Sequence, residues 1–274
     1  MVDLVVRVRC HTDPMKILDT LDSAQWSCDK NHTQVFAAVD NVRKVAEQLS
    51  RCRFFPIYNS KTHYGWGAGL WTLLVEAIEF AEETWKFSHF LSVDYDTLFL
   101  AKGVDQSMLD RITSESVGLV GAHILDHEHW RSVFQREKKQ IERAIGVTIP
   151  KLYTPGEGLQ GGAMLITRSL INELKRKEFF TGPARFAKKF TSITDDHLIS
   201  LFCRYCNLDI QDAGPFCNAK WEATEDPRGL EKLGVRLFHP IKLKPKGCGD
   251  RTEWGIRNYF RTLRGQESVR FGLP

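Results

Sequence analysis

Asp94 and Asp96 stand one residue apart at the end of the run His89-Phe90-Leu91-Ser92-Val93, and a second apolar stretch, Leu98-Phe99-Leu100, follows directly after Thr97. Two neighbouring carboxylates repel, and the repulsion raises a pKa unless a cation joins them. A hard divalent ion such as Mn2+ or Mg2+ removes the repulsion, keeps several waters and accepts diphosphate oxygens as its remaining ligands. At the end of a strand, where open parallel sheets bind ligands, the pair predicts a metal–diphosphate anchor. Capping of turn amides is the other use of this spacing.

Later residues have chemistry that fits such a site. Thr194-Asp195-Asp196-His197 puts two acids in a first helical turn, where the dipole alone stabilises each by about 0.3–1 kcal/mol. His239 ends a late apolar run and is followed by Lys242, Lys244 and Lys246. An imidazole can complete a borderline metal's shell and an ammonium can neutralise diphosphate charge. A purely structural His239 is the alternative. In Gln160-Gly161-Gly162-Ala163 the small residues let a sugar ring approach the backbone, or serve as a hinge. Tyr64-Gly65-Trp66-Gly67-Ala68-Gly69 opens a helix whose free N–H groups could face a phosphate. Its glycine spacing departs from the dinucleotide fingerprint, and close helix–sheet packing explains it as well.

These residues need a scaffold, and the first half supplies one by alternating β-like runs with helical periodicity. Strands are predicted at Leu4–Val8, Val35–Val39, Phe54–Tyr58, Phe90–Val93 and Val117–Gly121, with helices at Met15–Leu21, Val42–Leu49 and Leu70–Trp85. In the last helix Leu70, Leu73, Leu74, Ala77, Ile78 and Ala81 form one apolar face. A charged helix at Arg131–Ile145 leads into a Gly- and Pro-rich loop over Tyr153–Gly162. A strand at Ala163–Thr167, a helix at Ser169–Arg176, a helix capped by Thr194, a strand at Val235–Phe238 and a basic tail complete the pattern. It predicts an α/β fold with a mainly parallel sheet.

Composition narrows the function. The 274 residues carry 38 basic and 34 acidic side chains, a net charge of +4 that is too small for a protein living on nucleic acid. No stretch is apolar enough for a membrane span, because Thr72, Glu76 and Glu79 interrupt the best candidate, and the start lacks a secretory signal pattern. The expected setting is the cytoplasm, or a soluble catalytic domain without its anchor. Seven cysteines, an odd number, fit reduced thiols better than a disulfide framework, and Cys203-x-x-Cys206 reads as two core thiols. Arg251, Arg257, Arg261, Arg264 and Arg270 read as a solvated basic face, with contact to an anionic acceptor or membrane surface as the alternative.

At Asp94-Tyr95-Asp96 the sequence resembles the nucleotide-sugar-dependent glycosyltransferases of the GT-A fold, whose DxD motif ends a central strand and holds the metal bound to the nucleoside diphosphate. The resemblance implies a Rossmann-like, mainly parallel sheet flanked by helices in a single domain, with residues 1–125 as the donor half and 126–274 as the acceptor and catalytic half. Donor contacts are implied for Arg9, Asp40, Asn41, Gly67, Asp94, Tyr95, Gly161, Gly162, Lys242 and Lys246, with Lys244 competing for the diphosphate. Asp94, Asp96 and His239 are the implied ligands of Mn2+ or Mg2+. Asp196 is the implied general base of an inverting reaction, with Asp195 orienting the acceptor hydroxyl or the base itself. The donor is expected to be a UDP-sugar and the acceptor a glycan or protein hydroxyl. If no carboxylate reaches the far face of the sugar, retention is the better expectation. Asp40-Asn41 also fits a helix N-cap.

Other classes fit less well. A phosphohydrolase of the haloacid-dehalogenase type also ends a strand in Asp-x-Asp, but with its Thr one residue further on and nearer the chain start. A nucleotidyltransferase would carry a Gly-rich basic loop after the first strand, and Arg9–Pro14 has no Gly. A non-catalytic carbohydrate-binding protein would use Trp66, Trp130 or Trp254 to stack on sugar.

Overall fold

The computed structural model describes residues 2–51, 55–61, 67, 69–151, 153–185, 193–214, 217–219, 227–241 and 253–267. The chain begins β1 (Val2–Cys10), α1 (Pro14–Ser27), β2 (Thr33–Val39), α2 (Arg43–Arg51), β3 (Ile57–Asn59) and α3 (Gly69–Thr84). It continues through β4 (Phe87–Asp94), β5 (Leu98–Phe99), α4 (Val104–Leu109), β6 (Val117–Ile124), α5 (Glu128–Ile145), β7 (Gly158–Thr167) and α6 (Arg168–Arg176). The last elements are α7 (Asp195–Tyr205), β8 (Asp209–Asp212), β9 (Cys217–Ala219), α8 (Pro227–Lys232), β10 (Leu237–His239) and α9 (Glu253–Leu263).

A seven-stranded sheet in the order β3-β2-β1-β4-β7-β6-β8 carries the fold. All of its strands run parallel except β7, which pairs antiparallel with both neighbours. The carboxyl ends of β1, β4 and β6 therefore share one rim with the start of β7. A second sheet, β5-β10-β9, sits beside the turn after β4. The α/β expectation holds, with a mixed, mostly parallel main sheet between helices.

Alternation along β1 explains the layering. Leu4, Val6 and Val8 pack with Ile17, Leu21 and Ala24 of α1, while Val5 joins Leu74 and Ile78 of α3 on the opposite face. Both faces are apolar, as a central parallel strand requires, until Arg7 and Arg9 break the pattern near the rim. Truncating a fully buried residue such as Ile78 to Ala would cost about 2–5 kcal/mol. Asp13 starts α1 by accepting the amides of Met15 and Lys16, with Pro14 in the first helical position.

Several expectations need correction. The Gly-rich run from Gly158 is strand rather than loop, since its backbone pairs with β6 on one side and its continuation with β4 on the other. The third strand is shorter than Phe54–Tyr58 and extends to Asn59; Phe54 lies outside the described residues. Part of the basic tail is helix α9, and its arginines are not a solvated face: Arg257 is fully buried and Arg264 nearly so. Both meet the buried Asp19 of α1, as does Arg261. Arg251 and Arg270 lie outside the described residues. Cys203 and Cys206 are buried free thiols, as are Cys10 and Cys28. Among the described residues no helix is long and apolar enough to cross a membrane.

Candidate functional site

The segment Asp94–Thr97 is a tight turn closed by the Thr97 amide donating to the Asp94 carbonyl at 3.0 Å. Its other carbonyls are held from outside. Tyr95 O accepts from Thr20 Oγ1 at 2.6 Å and from Arg257 Nη2 at 3.0 Å. Asp96 O accepts from the Ile241 amide at 2.9 Å, and Thr97 O from Thr20 Oγ1 at 3.0 Å. With the backbone fixed in this way, the two carboxylates have little freedom except at χ1 and χ2.

The same anchoring delivers the third group. β10 pairs with β5, immediately after the turn, and so carries His239 to the two acids. His239 Nε2 lies 3.3 Å from Asp96 Oδ1 and 3.8 Å from Asp94 Oδ2, and ligand atoms of all three residues fall within 4.8 Å of one another. A divalent cation fits this donor set of two carboxylates and an imidazole, a mixture suited to a borderline ion such as Mn2+. Among the described residues the buried His239 Nδ1 has no hydrogen-bond partner, and Nε2 is the nitrogen that faces the two acids.

Gly162 makes room for that ring. Its φ is 106°, in the left-handed region, and a Cβ built on it would overlap the His239 imidazole. Here Gly121 faces Met164 while His123 faces Leu159, so β7 bulges between the two pairs and turns Gln160 and Gly162 toward the rim. Thr97 Oγ1 donates to Gly162 O at 2.8 Å and ties the bulge to the acid turn. That hydroxyl is fully buried.

Arg9 links the first acid pair to the second. Its Nη2 meets Asp94 Oδ2 at 2.6 Å, and its Nη1 meets Asp195 Oδ2 at 3.4 Å. Burial acts against the Arg9 charge, yet Asp94 and Asp195 outweigh it and raise its pKa. Burial pushes Asp195 above the usual carboxylate range; Arg9 opposes this, while Asp196 and Asp94 add to it. Asp196 moves the other way despite its burial, because His197 beside it and bonds from the His197 and Thr194 groups hold it low. Its Oδ1 lies 2.9 Å from His197 Nδ1 and 2.9 Å from the His197 amide. Thr194 Oγ1 bonds to Asp196 rather than capping the helix amides.

These groups line one cavity of about 630 Å³. Arg9, Asp94, Tyr95, Asp96, Gly162, Asp195, Asp196 and His239 from the sequence reading all border it. Asp40, Asn41 and Gly67 do not. Asp40 is buried just after β2, and Asn41, at φ 50°, donates from Nδ2 to Lys61 O at 3.0 Å, two residues before α2 starts at Arg43. Gly67 precedes α3 and accepts from the Leu70 amide. Lys242, Lys244 and Lys246, with Tyr64, Gly65, Trp66 and Ala68, lie outside the described residues. Trp254 does not reach the cavity, whereas Trp130 does.

The sequence reading missed His11, His127, His129 and His197. His11 packs edge-on to Tyr95, with ring centroids 4.8 Å apart. Trp130 lies against His197 at 4.1 Å and meets His129 at 5.2 Å. The His127-Glu128-His129-Trp130 run was a visible signal, but only its place after β6 brings it to the rim. Beneath this wall the buried Glu157 takes His123 Nε2 at 3.0 Å and Arg204 Nη2 at 2.6 Å. Burial alone would raise its pKa, but these partners hold it down to about 2.

No protein-family model matches the chain, and no curated protein matches it. Solved structures do. Mouse xyloside xylosyltransferase 1, in its apo form, is 11% identical and superposes with a TM-score of 0.49 over 87% of this chain and 98% of that one. S. aureus TarS, residues 1–349, is 15% identical at a TM-score of 0.45, covering 77% of this chain and 58% of its own. The mannosyltransferase PcManGT from Pyrobaculum calidifontis, in complex with GDP-Man and Mn2+, is 12% identical at 0.41, covering 76% and 56%. At these identities and scores the likenesses carry no weight for the activity. The chemistry of the site has to supply it.

Proposed function

We propose that this chain is a metal-dependent glycosyltransferase that moves a sugar from a nucleoside diphosphate donor, a UDP-sugar, to a glycan or protein hydroxyl with inversion at the anomeric carbon. The carrying observation is the convergence of Asp94, Asp96 and His239 at the edge of a cavity that also takes in Asp195 and Asp196. Mn2+ or Mg2+ bound by the three would supply charge neutralisation for the departing diphosphate. Arg9 keeps Asp94 and Asp195 from repelling and holds both at the cavity wall. Residues 1–125 give the donor half, through Arg9, Asp94, Tyr95 and Asp96, and residues 126–274 give the acceptor half; His239 crosses from the second to complete the first.

Asp196 accepts the proton of the acceptor hydroxyl as its oxygen bonds to the anomeric carbon and the bond to the diphosphate oxygen breaks. His197 and Thr194, both bonded to Asp196 Oδ1, orient the carboxylate and keep it ionised. Asp195, bound to Arg9, is the orienting member of the pair. Gly161 and Gly162 leave space for the sugar ring, and Lys242 and Lys246 complete the diphosphate site.

The test is slow hydrolysis of UDP-sugars with and without Mn2+, on wild type and Asp96→Ala. Mn2+-dependent loss of donor that Asp96→Ala abolishes is expected. Turnover that ignores both the ion and the substitution would overturn the reading.

A further inference from the structure

The acid turn is gripped from behind by a residue far away in sequence. Arg257, on α9, is fully buried, and its guanidinium donates in several directions. Nη2 reaches the Tyr95 carbonyl at 3.0 Å, Nη1 reaches Asp19 Oδ2 at 2.8 Å, and Nε reaches Glu253 Oε1 at 3.2 Å. Tyr95 is the residue between the two acids. Its peptide plane sets how Asp94 and Asp96 diverge, and that plane has two outside donors, Thr20 and Arg257.

Docking of α9 does not require this arrangement. Asp19 already meets Arg264 Nη2 at 2.6 Å and Arg261 Nη1 at 3.2 Å, and Ile256 and Phe260 bury the helix's apolar face. A buried ion pair is frequently no more stabilising than apolar residues of the same volume. An apolar side chain at position 257 could not donate to a carbonyl while bracing against two acids, and a planar fork of fixed donors does both.

We propose that Arg257 is a positioning residue for the metal site: it fixes the Tyr95 peptide and thereby the spacing of the Asp94 and Asp96 carboxylates. The proposal rests on the reading that these acids hold a divalent cation. Partners behind a ligand orient it and tune affinity, and their loss typically weakens metal binding about 10–100-fold.

The experiment compares Arg257→Gln and Arg264→Gln in the full chain, by titration with Mn2+ alone and by amide hydrogen exchange at Thr97, whose N–H closes the turn. Arg257→Gln should weaken Mn2+ binding about 10–100-fold and speed Thr97 exchange. Arg264→Gln removes an equally buried contact to Asp19 and should lower the melting temperature while leaving both readouts near wild type. Arg257→Lys covers a Gln variant that does not fold, since an ammonium can serve Asp19 but not also Tyr95 O; it should restore stability without restoring affinity. Equal effects from Arg257→Gln and Arg264→Gln, or none from Arg257→Gln, would overturn the proposal. A wild type that takes up no Mn2+ would remove the metal reading, and Thr97 exchange alone would then decide the role of Arg257.

Discussion

On the Asp94 side of the cavity every carbonyl from Asp94 to Thr97 has a donor, drawn from the turn itself, α1, α9 and the segment after β10. On the opposite side His127 and His129 are exposed, Trp130 is half-buried, and their contacts are mostly ring on ring. Hydrogen bonds to backbone fix an angle, whereas ring contacts fix only a separation and an area. The first wall suits a small ion that demands set ligand positions. The second suits a partner whose shape varies, as the proposed acceptor would.

Four substitutions test that contrast, from the largest effect down. Arg9→Met on the fixed wall leaves Asp94 and Asp195 charged without their shared partner; it should cost about 3–5 kcal/mol of stability in denaturant titration. Gly162→Ala puts a methyl where the His239 ring lies and should weaken Mn2+ binding about 10–100-fold, with a smaller change in melting temperature.

Glu157→Gln acts under the open wall. Charge-assisted bonds to His123 and Arg204 are at stake, so about 1.5–3 kcal/mol of stability should go at neutral pH, with Mn2+ affinity unchanged. The sign with pH follows from the depressed carboxyl. Its stabilisation is present above the ordinary value near 4.5 and is lost as pH falls toward about 2, so the variant should show a flatter acid limb between those values. His129→Ala, on the exposed rim, should shift stability by less than about 0.5 kcal/mol and leave Mn2+ binding alone. If His129→Ala weakened the ion as Gly162→Ala does, the division into two walls would be wrong.

The local signals for the fold were strong. β1, β2, β4 and β6 were each located from β-rich apolar runs, because a strand buried on both faces has to be written in apolar residues. The long helix α3 was found within a residue at each end from its periodicity. β5, β8, β9 and α9 were missed for the opposite reason. Each is short or mixed in composition and holds its shape through neighbours distant in sequence, as α9 does through Asp19 of α1.

The site divides similarly. Asp94, Asp96, Asp195 and Asp196 were legible because carboxylates next to strand ends and helix starts are rare enough to notice, and His239 because it ended a strand. Asp40, Asn41 and Gly67 occupied comparable places in the sequence, yet the structure sets them off the cavity. Spacing along the chain specifies which residue types lie on one rim; it does not say which of them converge.

By itself, then, the sequence determined the central strands β1, β2, β4 and β6, the long helix against them and the identity of two acidic pairs, all written in local pattern. Tertiary structure alone decided that Arg9 joins those pairs, that Gly162 admits His239, and that Arg257 reaches Tyr95 from 162 positions away. Those contacts depend on the reversed β7 and on the docking of α9. Their energy comes from burial shared among segments that no local window contains.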